Sequence, residues 1–223
     1  MPPIALLAKK IGMTRIFESD GTIHPLTVLE VGPCKVLRVK KNDGADGYDA
    51  LQLGFEPGKE KAFNKPQMGF FKKIGQKPYR HVREVRVDAA VTGQYEPGQD
   101  LTVESFFAPG EFVDVVGWTK GRGFQGVMRR HGFHGSKEWG HGTHEYFRHG
   151  GSIGSNTYPG RTMPGLRMPG RMGVRRFTIQ NLRVIDRVAP KNLVLVRGAV
   201  PGPNGGLCIV RQAIKVYSAT KKA

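Results

Sequence analysis

Acidic side chains are scarce in this chain of 223 residues: Asp and Glu number 18 against 35 Lys and Arg, for a formal charge of +17. A compact body with that excess repels itself and gathers polyanions, which argues against a protein that works without an anionic partner. Cysteine is almost missing. The only two, Cys34 and Cys208, lie in apolar, strand-like stretches (PCKVLRV and GLCIVRQ), so they read as small buried hydrophobes in a reducing compartment. A disulfide-stapled mini-protein is thereby excluded. No apolar run approaches the ~18 to 20 residues of a membrane helix. The opening MPPIALLAKKIGM has a short apolar run with basic residues after it, not before it, so no secretory leader is expected and the cytoplasm is the expected compartment.

What is present narrows the choice. Apolar residues make up 39%, enough to exclude a fully disordered chain, and 31 Gly with 15 Pro mark a loop-rich but not collagen-like one. The length suits one large domain or two small ones. Nucleic acid leads among anionic partners, because each Lys or Arg set on a phosphate releases condensed counterions. An anionic membrane surface comes second, and a cationic surface used only for solubility is the plain alternative.

Short alternating segments dominate both ends of the chain. Met13–Phe17 and Thr22–Val31 read as strands around Asp20-Gly21, a turn that needs positive φ. Cys34–Lys40, Asp49–Phe55, Val82–Val87, Asp100–Glu104 and Phe112–Trp118 read likewise, as do Phe177–Arg187, Asn192–Arg197 and Leu207–Val216. Asn64-Lys65-Pro66-Gln67 supplies a helix start of capping-box type, Met68, Phe71 and Ile74 form a stripe read as core, and Gly75 ends the helix. Phe17, Phe55, Trp118 and Phe177 are expected in the core. The fold class is therefore mainly β, with many short strands pointing to a closed or nearly closed barrel.

Residues 118 to 176 break this pattern. They carry eleven basic residues against Glu138 and Glu145, a net +9 in 59 residues, with +8 left for the other 164. The basic set is Lys120, Arg122, Arg129, Arg130, Lys137, Arg148, Arg161, Arg167, Arg171, Arg175 and Arg176. Arg outnumbers Lys nine to two, which suits forked contacts to phosphate. No helical or strand period lasts, and loops of this length are usually functional or disordered. Phe124, Phe133, Trp139, Tyr146, Phe147 and Tyr158 are too many aromatics for a solvated tail. An extension that takes its order from a partner is expected.

Three motifs inside it have weak chemical readings. Gly121 to Gly126 matches G-x-G-x-x-G, but the residues after it allow little more than one helical turn, so a backbone close to phosphates is favoured over a dinucleotide site. Gly150 to Gly154 matches G-x-S-x-G beside His149, but Pro159 forbids the helix a hydrolase elbow needs. His131, His134, His141, His144 and His149 include two H-x-x-H spacings without a clear helix or a nearby Cys, so base stacking or donation to phosphate and ribose is favoured over zinc. The aromatics of the extension either stack on unpaired bases or pack the loop on itself. No metal, cofactor or catalytic residue is assigned.

The blocks KKIGMTRIF, TKGRGFQGVMRRHGF, GGSIGSNTYPGR, MPGRMG and NLVLVRGAVPGPNGG, in order from Lys9, resemble the bacterial form of the universal large-subunit ribosomal protein L-three family over nearly the whole chain. The resemblance implies a translation-factor-like β-barrel in residues 1–117 and 177–217, a small α/β insertion within about 45–95, and a tail at 218–223. It implies a long irregular basic extension, 118–176, that threads as a finger through 23S rRNA toward the peptidyl transferase centre. It also implies early binding during subunit assembly and L-fourteen and L-nineteen as neighbours. Carried onto this chain, the expected rRNA-binding residues are Lys120, Arg122, Phe124, Arg129, Arg130, His131, Lys137, Arg148, His149, Arg161, Arg167, Arg171, Arg175 and Arg176. The finger tip is Gly151, Ser152, Ile153, Gly154, Ser155, Asn156 and Thr157. Some relatives carry a methylated Gln where this chain has Ser155, so that modification is not expected.

Overall fold

A computed structural model describes residues 5–44, 46–136, 142 and 145–215. It divides at Trp118 and Arg176: the chain on either side forms one unit, and Thr119–Arg175 forms a second. Strands in the first stretch are β1 (Ala5–Phe17), β2 (Ile23–Val31), β3 (Cys34–Lys40) and β4 (Ala50–Pro57). Helix α1 (Lys65–Lys73), β5 (Tyr79–Arg86), the single turn α2 (Ala89–Thr92), β6 (Asp100–Leu101) and β7 (Phe112–Trp118) follow. The second unit holds β8 (Gly123–Gln125), α3 (Val127–His131) and β9 (Gly170–Met172). The chain then returns through β10 (Arg176–Val188), β11 (Leu193–Arg197) and β12 (Leu207–Gln212).

Six strands of the first unit close on themselves in the order β1-β12-β7-β10-β11-β2, every pair antiparallel. A four-stranded antiparallel sheet, β5-β4-β3-β6, packs beside them, and one continuous core spans both. That arrangement explains β1. Ala5, Leu6, Leu7 and Ala8 are all buried, so this end of the strand is covered on both faces and shows no alternation to read. The Cys34 thiol reaches the Leu7 carbonyl at 3.4 Å, which ties β3 of the sheet to β1 of the barrel. Burial pushes this thiol's pKa up to about 12 and that of Cys208 to about 11. Both cysteines are free and buried, and thiols so hard to ionise are poor nucleophiles.

Two buried polar groups have specific partners. Lys10 Nζ donates to the carbonyls of Val200 (2.8 Å) and Gly202 (3.3 Å), pinning the loop before β12. Asp114, 1% exposed, accepts from the backbone N–H of Asn181 at 3.1 Å and from Arg211 at 3.4 Å. Asn181 sits at positive φ where the register of β10 on β7 shifts. A bulge strands a backbone donor, and the Asp114 carboxylate satisfies it.

The mainly β expectation holds, and α1 starts as expected, with Gln67 Oε1 accepting from the Asn64 N–H at 3.1 Å. Four readings are corrected. Asp100–Glu104 is a strand only as far as Leu101. The chain then tucks into a 3₁₀ turn at Val103–Ser105 that buries Val103. Leu207–Val216 stops as a strand at Gln212, with Val216 outside the described residues. Phe17 is 59% exposed, because it lies opposite Ile23 beyond the last β2 residue paired with β11. Phe177 is 55% exposed, because its cross-strand partner is Gly117, which has no side chain to cover it.

Candidate nucleic-acid interface

The second unit begins with a neck in which its two ends run antiparallel. The Thr119 N–H donates to the Arg175 carbonyl at 3.0 Å, and the Val174 N–H donates to the Thr119 carbonyl at 3.1 Å. Arg122 donates to Met172 at 2.9 Å, after which β8 pairs with β9 from Gly123↔Met172 to Gln125↔Gly170. Gly173, at φ +85°, permits this closeness, since a Cβ there would lie 2.1 Å from the Lys120 carbonyl oxygen. Gly-x-Gly-x-x-Gly therefore serves an antiparallel ladder, and the dinucleotide geometry of a parallel crossover is not built here.

Helix α3 follows and ends at Gly132 in the left-handed region. Its two adjacent arginines do different work. Arg129 is exposed and touches Gln125 Oε1 at 3.3 Å. Arg130 is half-buried, and its Nη1 donates to the Met168 carbonyl at 2.6 Å, where His131 Nε2 also donates at 3.0 Å. The guanidinium lies so close over Gly170 that a Cβ there would fall 2.5 Å from it. Arg130 and His131 thus brace the returning strand.

The other expected contact residues stand outward. Lys120, Arg122, Phe124, Arg148, His149, Arg161, Arg167, Arg171 and Arg175 are exposed, as is Arg176, which belongs to β10 of the first unit. Phe124 is 75% exposed. Among the described residues none of these cations has a carboxylate within ion-pair distance. The contrast with the first unit is plain, where Lys9, Lys35 and Lys40 all face acids at about 3.0 Å or less. Lys137 lies outside the described residues, as do Trp139, His141, His144 and the tail 218–223.

Gly151, Ser152, Ile153, Gly154, Ser155, Asn156 and Thr157 are exposed throughout. Ser152 Oγ donates to the Gly154 carbonyl at 3.2 Å, and no helix follows it, so the hydrolase elbow is not formed. Between α3 and this segment lies a groove of about 740 Å³ lined by His131, Phe133, His134, Tyr146, His149 and Arg167 among others. The rings of Tyr146 and His149 meet edge to face with centroids 5.2 Å apart, and those of His131 and Phe133 are tilted by 45° with centroids 6.1 Å apart. No metal-binding cluster occurs among the described residues. Sequence reasoning misses Thr119, Met168 and Val174, which hold the unit together through backbone groups. A carbonyl acceptor leaves no signature in residue type, and only the nearby glycines, Gly170 and Gly173, hint at close approach.

A basic, mainly β protein with an arginine-studded second unit is a class that fits many polyanions, and comparison narrows it to the structural proteins of the large ribosomal subunit. The family model "Ribosomal protein L3" matches residues 84–190. The large ribosomal subunit protein uL3 of Pelotomaculum thermopropionicum is 50% identical over 213 residues, 96% of this chain and 98% of that protein. The proteins of that name from Anaeromyxobacter sp. strain Fw109-5 and Acetivibrio thermocellus are 48% and 46% identical, covering 97% and 94% of this chain and 93% and 97% of theirs. The chain belongs to the ribosomal protein L3 family. It is a large-subunit ribosomal protein, and its place is in the ribosome.

Proposed function

We propose that the chain binds 23S rRNA chiefly through residues 119–175, supports early subunit assembly, and carries residues 151–157 toward the peptidyl transferase centre. The observation that carries this reading is the set of exposed arginines without carboxylate partners. In the folded protein alone they only repel one another; on phosphates each releases counterions. Contacts to phosphate and sugar position the protein. Site choice comes from shape and from unpaired bases, for which Phe124 and the His/aromatic groove are suited. The barrel is proposed to be akin to that of translation factors and to act as the folded anchor. L-fourteen and L-nineteen are the proposed protein neighbours. The chain's role is structural, with catalysis left to RNA.

A competition titration tests this across salt concentration, with large-subunit rRNA against DNA and mRNA of equal length. Tighter rRNA binding and a steep salt slope are expected. Equal affinity for all three would instead indicate a free regulatory nucleic-acid binder.

A further inference from the structure

The +17 charge is not spread over the chain. Residues 118–176 hold +9, and residues 59–86 hold nine Lys and Arg against Glu60 and Glu84, a net +7 in 28 residues. Everything else nets +1. The second cluster surrounds α1 and β5 in the first unit. Lys59, Lys61, Lys65, Lys72, Lys73 and Lys77 are all exposed, and among the described residues none has an ion-pair partner.

A groove of about 480 Å³ runs between α1 and β5, lined in part by Phe63, Phe70, Tyr79, Arg80 and Arg83. Its rings are held by fitted surroundings. Phe71 is buried, and Phe63 and Phe70 stand edge-on against it at 5.8 and 5.3 Å. A Cβ on Gly58 would fall 2.6 Å from the Phe63 ring, and one on Gly54 would fall 2.8 Å from that of Tyr79. Both glycines therefore make room for an aromatic ring. A second groove, also about 480 Å³, lies along α1 with Lys61, Lys65, Met68 and Lys72 on it and shares Phe63 with the first.

We infer that the α1–β5 groove is a second RNA contact, taking an unpaired segment of large-subunit rRNA with a base against Phe63, Phe70 and Tyr79 and phosphates on Arg80, Arg83 and the neighbouring lysines. Base stacking on aromatic rings beside cations is the usual chemistry of single-strand sites. Edge protection accounts for Arg80, Arg83 and Arg86: β5 is an outer strand of its sheet, and charges there block edge-to-edge pairing. It does not account for six lysines off the edge or for two glycines set under the rings. The inference rests on large-subunit rRNA being the partner, and needs nothing from the arginines of the second unit.

The test uses the full chain and deproteinised large-subunit rRNA. Lys65→Ala/Lys72→Ala/Arg80→Ala/Arg83→Ala is compared with Arg122→Ala/Arg129→Ala for the slope of log K against log salt. Every single-strand phosphate that loses its cation makes that negative slope shallower by roughly 0.7, and both variants are expected to flatten it. An unchanged slope in the first variant alone overturns this inference and leaves the main reading standing; unchanged slopes in both overturn the main reading as well. Short-wave ultraviolet irradiation of native large subunits, with peptide mapping, decides the matter without substitution. Nucleotide adducts on Phe63, Phe70 or Tyr79 are expected. Adducts absent from all three, or chemical cross-links from this face to a neighbouring acidic protein, overturn it.

Discussion

Arg129 and Arg130 are neighbours in sequence and opposites in use. Arg129→Ala is expected to lower the salt slope of rRNA binding by about 0.7 to 0.9 without changing the thermal midpoint. Arg130→Ala removes a charged donor from the Met168 carbonyl, a loss of about 1.5 to 3 kcal/mol that limited proteolysis within residues 119–175 would register. If the two variants behave alike, the brace is misassigned. A sequence reading treats both as phosphate ligands, because inward and outward turns of α3 differ only in what lies opposite. Glu56 offers a pH test. Its carboxyl is held below its ordinary 4.5, first by the bond from Lys9 and further by Arg80 and His81, against a burial effect that raises it. The folded state thus gives up this proton more readily than the unfolded one, so the contribution is whole above about pH 4.5 and lost as pH falls through the lowered value. His81, lowered below 6.5 mainly by burial, pushes in the same direction, since the unfolded chain binds its proton first as pH falls. The thermal midpoint should drop in acid, and Glu56→Gln should flatten the lower part of that drop. Superimposable profiles would contradict the assignment.

At the scale of elements, legibility follows exposure. Phe112–Trp118 reads from sequence with the bounds the structure gives, and α1 within a residue or two, because caps and alternation are local signals. The first half of β1 escapes such a reading because Leu6 and Leu7 are both buried: two-sided burial erases period two. The strand expected over Asp100–Glu104 is too long because tertiary packing of Val103 overrides β propensity after two residues. The neck at β8 and β9 is invisible in sequence, since three-residue strands carry no period. Gly173 is its most sensitive point. Gly173→Ala sets a Cβ against the Lys120 carbonyl at a left-handed φ, and should cost about 1 kcal/mol or more from the backbone preference alone. Faster amide exchange at Arg122 and Val174 is the expected result; unchanged exchange would show that the neck does not depend on close approach.

For the molecule as a whole, the acids of the first unit are largely engaged, while the lysines around α1 and the exposed arginines described in the second unit have no carboxylate within ion-pair distance. In the sequence, charge and lack of period mark out residues 118–176 as an extension. The remaining +8 is credited to the body without separating residues 59–86, which hold +7 of it, because the apolar stripe of α1 reads as core and draws attention from the lysines around it. On the proposed function, residues 119–175 work against a polyribonucleotide. Hydrogen exchange on the full chain, free and within large subunits, tests it most directly. Fast exchange is expected over residues 145–169 in the free protein and strong protection in the subunit, with the core strands β1, β7 and β12 protected in both. Equal protection of residues 145–169 in the nuclease-treated free protein and in the subunit would contradict it.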